Sequence, residues 1–180
     1  KIDHSNIDIS SFDGLTIQEI ISTLFESELE LKKLQKLEKK YNEMIDSYFH
    51  EAVIFEGSKA FIEKCSKLKI KLGIVTSNSK ERVTKFLKKY DLYECFNVLI
   101  TREEYLNSKP DPEPYNVALQ KIMLPPEKCI AIEDSIIGVK AAISAGLSCY
   151  LFDPDSEIKN ISFRDKAKSI SRFDQIILGD

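Results

Sequence analysis

Glu133 and Asp134 stand side by side at the end of the apolar run CIAI and lead directly into a helical pattern. Two carboxylates crowded at the end of a buried strand repel each other and lose hydration, so they call for a cation or strong donors beside them. Two other stretches offer such partners. IKLGIVT runs into Thr76-Ser77-Asn78, placing hydroxyls and amides where a helix begins, and a helix N-terminus with free N–H groups attracts anions. In NSKPDPEPY, Lys109 precedes Pro110, which biases it toward an extended conformation, and Asp111 and Pro112 open a helix as its cap and first position. Singly these features are ordinary, because Ser and Asn are the usual caps and a lone lysine is usually a solvated one of little consequence for stability. Together they supply hydroxyl and amide donors, a fixed ammonium and hard carboxylate ligands suited to Mg2+. Those are the parts needed to hold a phosphoryl group and spread its charge during transfer.

The elements that must position these residues follow from periodicity and punctuation. From Glu56-Gly57 onward, helices and strands alternate: a helix over about 58–68, strand IKLGIVT, a helix capped by Asn78-x-x-Glu81 and reaching Tyr90, and strand FNVLI. The helix opening at Asp111-Pro112, strand CIAI, a helix closing at Gly146 and strand SCYLF complete the series. Strands separated by helices of about ten residues predict a doubly wound parallel sheet, an α/β fold whose ligands sit beyond the carboxyl ends of the strands. Before residue 56 the pattern is helical. Thr16-x-x-Glu19 has capping-box spacing ahead of Ile17, Ile20, Ile21, Leu24 and Phe25, and a second helix over about 29–50 carries Leu31, Leu34, Leu37, Tyr41, Met44, Ile45 and Tyr48 at steps of three and four. The division is therefore a helical unit, 1–55, and an α/β unit, 56–180. The tail after Asp153 is polar and yields no clear element.

Composition excludes several classes. The 180 residues are 43% hydrophobic and 31% charged with a net charge of −3, which leaves no basic excess to drive nucleic-acid binding. No apolar stretch approaches the roughly 20 residues needed to span a bilayer, and no signal peptide opens the sequence, so a cytoplasmic protein without a membrane partner is expected. Cys65, Cys95, Cys129 and Cys149 are scattered among apolar residues without a C-x-x-C pair, with only His4 and His50 as further soft ligands. They read as reduced, buried thiols.

The strings LGIVTSNS, SKPDPEPY and AIEDSIIGVKAAISAG, in this order, resemble three of the four motifs of the haloacid dehalogenase superfamily. The resemblance is to its helical-cap branch of phosphoglycolate phosphatase-like and β-phosphoglucomutase-like enzymes, and it covers nearly the whole chain. It implies a Rossmann-like core with a small helical cap. It also implies Thr76 and Lys109 as catalytic residues, Thr76, Ser77, Asn78 and Lys109 as phosphate-binding residues, and Asp134 as the principal Mg2+ ligand with Glu133 as its helper. Mg2+ and Lys109 would then be the positive partners of the acidic pair.

The family's first motif, Asp-x-Asp, supplies the nucleophile and the acid-base residue, and it has no match in its proper place. FDGLT at Phe12 has the letters but no strand before it and falls where this branch carries its cap loop. Asp153-x-Asp155 follows a strand, but it comes after the fourth motif with Pro154 between the acids. The chain begins with Lys1, and the expectation is that it starts inside the cap, with the strand bearing the nucleophile upstream. The implied activity is a Mg2+-dependent phosphatase acting on a small phosphorylated metabolite through an aspartyl-phosphate, as a monomer. A sugar-phosphate mutase is the alternative within the branch, although SSFDGLTIQEI offers no cation for a second phosphate. A non-catalytic relative binding a metabolite or partner is the alternative outside it.

Overall fold

The alternation of strand and helix is present in the computed structural model, which describes residues 31–155 and 166–178. Helix α1 (Leu31–Tyr48) is followed by α2 (Ser58–Lys67), β1 (Gly73–Val75), α3 (Lys80–Lys89), β2 (Val98–Ile100), α4 (Glu113–Ile122), β3 (Ile130–Glu133), α5 (Ile136–Ser144), β4 (Ser148–Phe152) and β5 (Ala167–Ile170). Every strand pair is parallel. The helix expected after Thr16 and the FDGLT segment lie outside the described residues.

Alternate residues of each strand face opposite layers, as the pleat requires. On β1, Ile74 packs with Val83 and Leu87 of α3 and Ile62 of α2, whereas Val75 packs with Tyr115 and Leu119 of α4 and Val139, Ala141 and Ala142 of α5. On β4, Cys149 and Leu151 join that α4/α5 layer, while Tyr150 and Phe152 face Phe61 of α2. Helices thus cover both faces, giving the expected doubly wound arrangement.

The sheet is in two parts among the described residues. β1 pairs with β2, and β3, β4 and β5 pair in that order, with no described strand joining β1 to β3. The parts share their helical layers: α2 sends Phe61 to one and Ile62 to the other, and Val75 of β1 packs into the cluster that covers β3 and β4.

Several boundaries differ from the sequence expectation for local reasons. Strand IKLGIVT is shortened at its start because α2 closes through Lys69, in the left-handed region at φ 59°, and Ile70, whose N–H returns to Cys65 O at 3.0 Å. The cap of α3 is Ser79, not Asn78: Ser79 Oγ accepts from Arg82 N–H at 3.4 Å, and Asn78 turns elsewhere. Asp111 lies just outside α4, where its Oδ1 accepts from Glu113 N–H at 2.8 Å. Ser135 caps α5 as expected, accepting from Gly138 N–H at 3.1 Å. The helix ends by a left-handed Gly146 at φ 90°, with Leu147 N–H on Ala142 O at 3.1 Å. Strand β5 was not expected; AKSI is short and mostly polar, and only pairing with β4 identifies it.

Helix α1 is fastened to α3 through Arg82. Its Nε donates to Asp46 Oδ1 at 2.7 Å, and its Nη2 donates to Asn42 O and Oδ1 at 3.0 Å. Lys89 Nζ holds the chain after α1 by donating to His50 O and Ala52 O, each at 2.9 Å. The cysteines are free, with Cys65 and Cys149 buried. No described helix is long and apolar enough to cross a membrane.

Candidate active site

The three stretches singled out in the sequence meet at the carboxyl ends of β1 and β3. Thr76 directly follows β1. Its N–H donates to Ile100 O at 2.9 Å, which extends the β1–β2 ladder by one step. Its side-chain Oγ1 accepts from Asn78 N–H at 3.2 Å and from Asn78 Nδ2 at 3.4 Å. A threonine hydroxyl accepts twice and donates once, so both acceptor positions are taken and the proton remains as a donor. Ser77 and Asn78 are exposed beside it.

The helix that follows is less open to an anion than its sequence suggests. Ser79 takes one free N–H of the first turn of α3, and the carboxylate of Glu103 takes another, accepting from Lys80 N–H at 3.2 and 3.3 Å. Two of the N–H groups an anion could use at this helix end are therefore already taken, and the Thr76 hydroxyl and the loop before the cap are the more open donors.

Lys109 corrects a sequence expectation. A lone lysine is expected to be exposed and of little consequence for stability, but Lys109 is only 8% exposed. Its Nζ donates to Val75 O at 3.0 Å and to Glu133 Oε1 in a buried ion pair. Taking an ammonium and a carboxylate out of water is tolerable only when each satisfies the other with good hydrogen bonds. An ammonium has three hydrogens, and these two contacts leave one free for a ligand. The Lys109–Pro110 peptide is cis.

Glu133, the last residue of β3, is 7% exposed and turned inward. Besides Lys109, its Oε1 accepts from the hydroxyl of Tyr115 in α4. Burial, followed by the adjacent Glu133 charge and hydrogen bond, pushes the Tyr115 hydroxyl well above its ordinary pKa, so it remains a donor. The ring of Tyr115 lies 5.3 Å from Lys109 Nζ, adding a cation–π contact. Gly138 explains why the carboxylate fits: a Cβ there would lie 2.0 Å from Glu133 Oε2. Cys149 shares this buried environment, and burial and the Glu133 charge push its thiol up to about 12.

Asp134, by contrast, is exposed at the start of the turn into α5. Asp153 is buried at the end of β4, where its N–H donates to Ile170 O at 2.8 Å, and Asp155 is exposed.

A haloacid dehalogenase-like hydrolase model matches residues 2–152. The chain belongs to that family. It is 33% identical over 136 residues to a phosphorylated carbohydrates phosphatase of Thermotoga maritima, a match covering 74% of this chain and 62% of the relative. It is 31% identical over 98 residues to the validoxylamine A 7'-phosphate phosphatase of Streptomyces hygroscopicus subsp. limoneus, covering 54% of this chain and 46% of the relative. This chain therefore spans between about half and three-fifths of those relatives. The crystal structure of β-phosphoglucomutase from Clostridium difficile superposes with a TM-score of 0.79 over 95% of this chain and 78% of that one, at 20% identity, and so shares the fold.

For a haloacid dehalogenase-like chain, the fit of Mg2+ can be judged from the donor set. Mg2+ usually binds through one or two carboxylates, with waters and substrate phosphate completing an octahedron. Asp134 supplies one exposed carboxylate of that kind. Glu133 commits one of its oxygens to Lys109 and Tyr115, and the described residues contain no cluster of three or more metal-binding side chains. Among the described residues the donors fit a metal held at one edge by Asp134.

Sequence reasoning missed the tyrosines. Tyr115 stands six residues after Lys109, which places it on the first turn of α4 facing back to the lysine. Tyr105 donates its hydroxyl to Thr76 O at 3.1 Å. Tyr115 closes the string SKPDPEPY and Tyr105 stands shortly before it, and a large aromatic with a polar tip in or near a candidate string is the signal that was available for both.

Proposed function

We propose that the intact protein is a phosphatase that hydrolyses a small phosphorylated metabolite with Mg2+ held at Asp134. The observation that carries this reading is the position of one atom. Lys109 Nζ touches the carbonyl of Val75, the residue before Thr76, and the carboxylate of Glu133, the residue before Asp134. A single ammonium thus links the hydroxyl loop to the acidic pair at the strand ends where α/β folds bind ligands. The names of the relatives, phosphatases of phosphorylated carbohydrates and of a 7'-phosphate, support a small phosphorylated metabolite as substrate.

In this reading the phosphoryl oxygens accept hydrogen bonds from the Thr76 hydroxyl, the Ser77–Asn78 loop and the third hydrogen of Lys109. These donors are fixed beforehand by Asn78, Val75 and Glu133, so little reorganisation accompanies the build-up of charge. Mg2+, when bound, supplies further charge neutralisation at the phosphoryl oxygens. The nucleophile is an aspartate outside the described residues. Its carboxylate oxygen bonds to phosphorus as the ester oxygen leaves with a proton from a second acid, and water then cleaves the aspartyl-phosphate to inorganic phosphate. Among the described residues β1 does not pair with β3, and in this reading the strand that bears the aspartate lies between them. The helical unit before residue 56 is read as a cap domain.

Calorimetry of Mg2+ binding tests the metal assignment. Asp134→Asn in the intact protein removes the formal charge from a hard-cation site and should abolish binding, and Glu133→Gln should weaken it less. Unchanged Mg2+ affinity in the Asp134 variant would overturn the assignment.

A further inference from the structure

The segment between β2 and Lys109 forms a shelf under the Thr76 loop. Arg102 N–H donates to Asn78 O at 3.1 Å, Glu103 caps the first turn of α3, and the Tyr105 hydroxyl donates to Thr76 O at 3.1 Å. Tyr105 itself is tightly held. It is 5% exposed, its carbonyl accepts from Arg102 Nη1 at 2.9 Å, and the Arg102 guanidinium lies 5.3 Å from its ring centroid. Thr76 is consequently fixed on three sides: N–H by Ile100, carbonyl by Tyr105 and hydroxyl by Asn78. Ile100 fixes only the near side of the peptide, and Asn78 belongs to the same turn as Thr76. From outside the turn, Arg102 N–H holds Asn78 O, and the buried Tyr105 side chain holds the Thr76 carbonyl itself.

We propose that Tyr105 is a positioning residue, whose hydroxyl holds the Thr76–Ser77 peptide so that the Thr76 proton points at a bound phosphoryl group. This rests on the reading of Thr76 as a phosphoryl donor. Without the Tyr105 hydroxyl the Thr76 carbonyl loses this restraint, and the Asn78 groups that orient the Thr76 hydroxyl are held less firmly. The loss is one of phosphate affinity, not of metal affinity, because Asp134 lies on a different strand end.

The test is a double-mutant cycle on the intact protein, with inorganic phosphate as the probe and calorimetry as the readout. Thr76→Val removes a hydrogen bond to a charged ligand and should weaken phosphate binding about tenfold or more. Tyr105→Phe keeps the ring and its packing and should weaken it by about threefold to tenfold, with Mg2+ affinity and the circular dichroism spectrum unchanged. In the Thr76→Val background Tyr105→Phe should cost clearly less affinity than in the wild type, what is left reflecting the Ser77–Asn78 donors of the same turn. Replacing Tyr105 by 4-aminophenylalanine, which returns a donor to the same place, should restore affinity. The inference fails if Tyr105→Phe binds like the wild type, or if it weakens binding equally in the Thr76→Val background. If Thr76→Val itself binds phosphate normally, the assignment of Thr76 fails and this inference fails with it.

Discussion

The two halves of the site solve the same problem with opposite physics. At the end of β1, Thr76 is positioned by neutral hydrogen bonds near the surface, from Asn78, Tyr105 and the β2 ladder. At the end of β3, Lys109 and Glu133 form an ion pair out of water, sealed by the Tyr115 ring and hydroxyl and by the absence of a side chain at Gly138. Neutral groups at a surface can be removed with little harm to the fold. A buried charge cannot lose its partner without leaving the other uncompensated. The comparison teaches that candidate ligand donors of one site can differ greatly in how far they are also structural.

The largest effect should come from breaking the buried pair. Lys109→Ala leaves the Glu133 carboxylate buried without its counter-ion, and urea denaturation should show a loss of about 3–5 kcal/mol. Removing both charges in Lys109→Met/Glu133→Gln should recover most of that stability, since well-packed neutral groups often replace buried pairs without loss. A single variant as stable as the wild type would show that Lys109 is merely solvated.

Gly138→Ala should be next. Its Cβ would meet Glu133 Oε2 at 2.0 Å, so the carboxylate or α5 must move, at a cost of about 1–3 kcal/mol by the same denaturation measurement. An alanine tolerated without change would mean that Glu133 is not held where it is described. On the other half, Thr76→Val should leave stability within about 0.5 kcal/mol of wild type even as phosphate binding falls.

How much of this contrast was legible in the sequence differs between the halves. Thr76 and Asp134 could be brought together on paper because each directly follows a strand, and parallel topology gathers strand ends; Lys109 joined them because its loop connects a strand to the helix opening at Asp111-Pro112. The burial of Lys109 could not be read, because the groups that bury it, Val75, Glu133 and Tyr115, come from three different stretches. Asn78 was read as the cap of α3, yet Ser79 does that and Asn78 serves the Thr76 hydroxyl; two adjacent residues of equal capping ability leave the choice to tertiary contacts. Strand β5 lacked an apolar run because it lies at the border of the sheet and only Ile170 is fully buried.

The smallest effect concerns pH. Glu113 accepts from Leu106 N–H at 2.9 Å and Asn107 N–H at 2.7 Å, and these bonds hold its carboxyl below the usual 4.5. A depressed folded pKa means that the contribution is present above pH 4.5 and is lost as pH falls through the lower folded value. Melting curves of wild type and Glu113→Gln should therefore differ at pH 6 and converge as the solution is acidified below 4.5 and through the lower folded value. A difference that does not shrink with acid would detach Glu113 from the loop joining Tyr105 to Lys109.

The most direct test of the account asks whether Lys109 acts on a phosphoryl group apart from its part in the fold. Phosphate release from a set of small sugar phosphates would be measured with the intact protein at saturating Mg2+, comparing wild type, Glu133→Gln and the folded Lys109→Met/Glu133→Gln variant, so that the effect of Glu133 on the metal is read separately. The account predicts turnover by the wild type and a loss of at least about 100-fold in the double variant at equal thermal stability. Near-normal turnover by the folded double variant would contradict it.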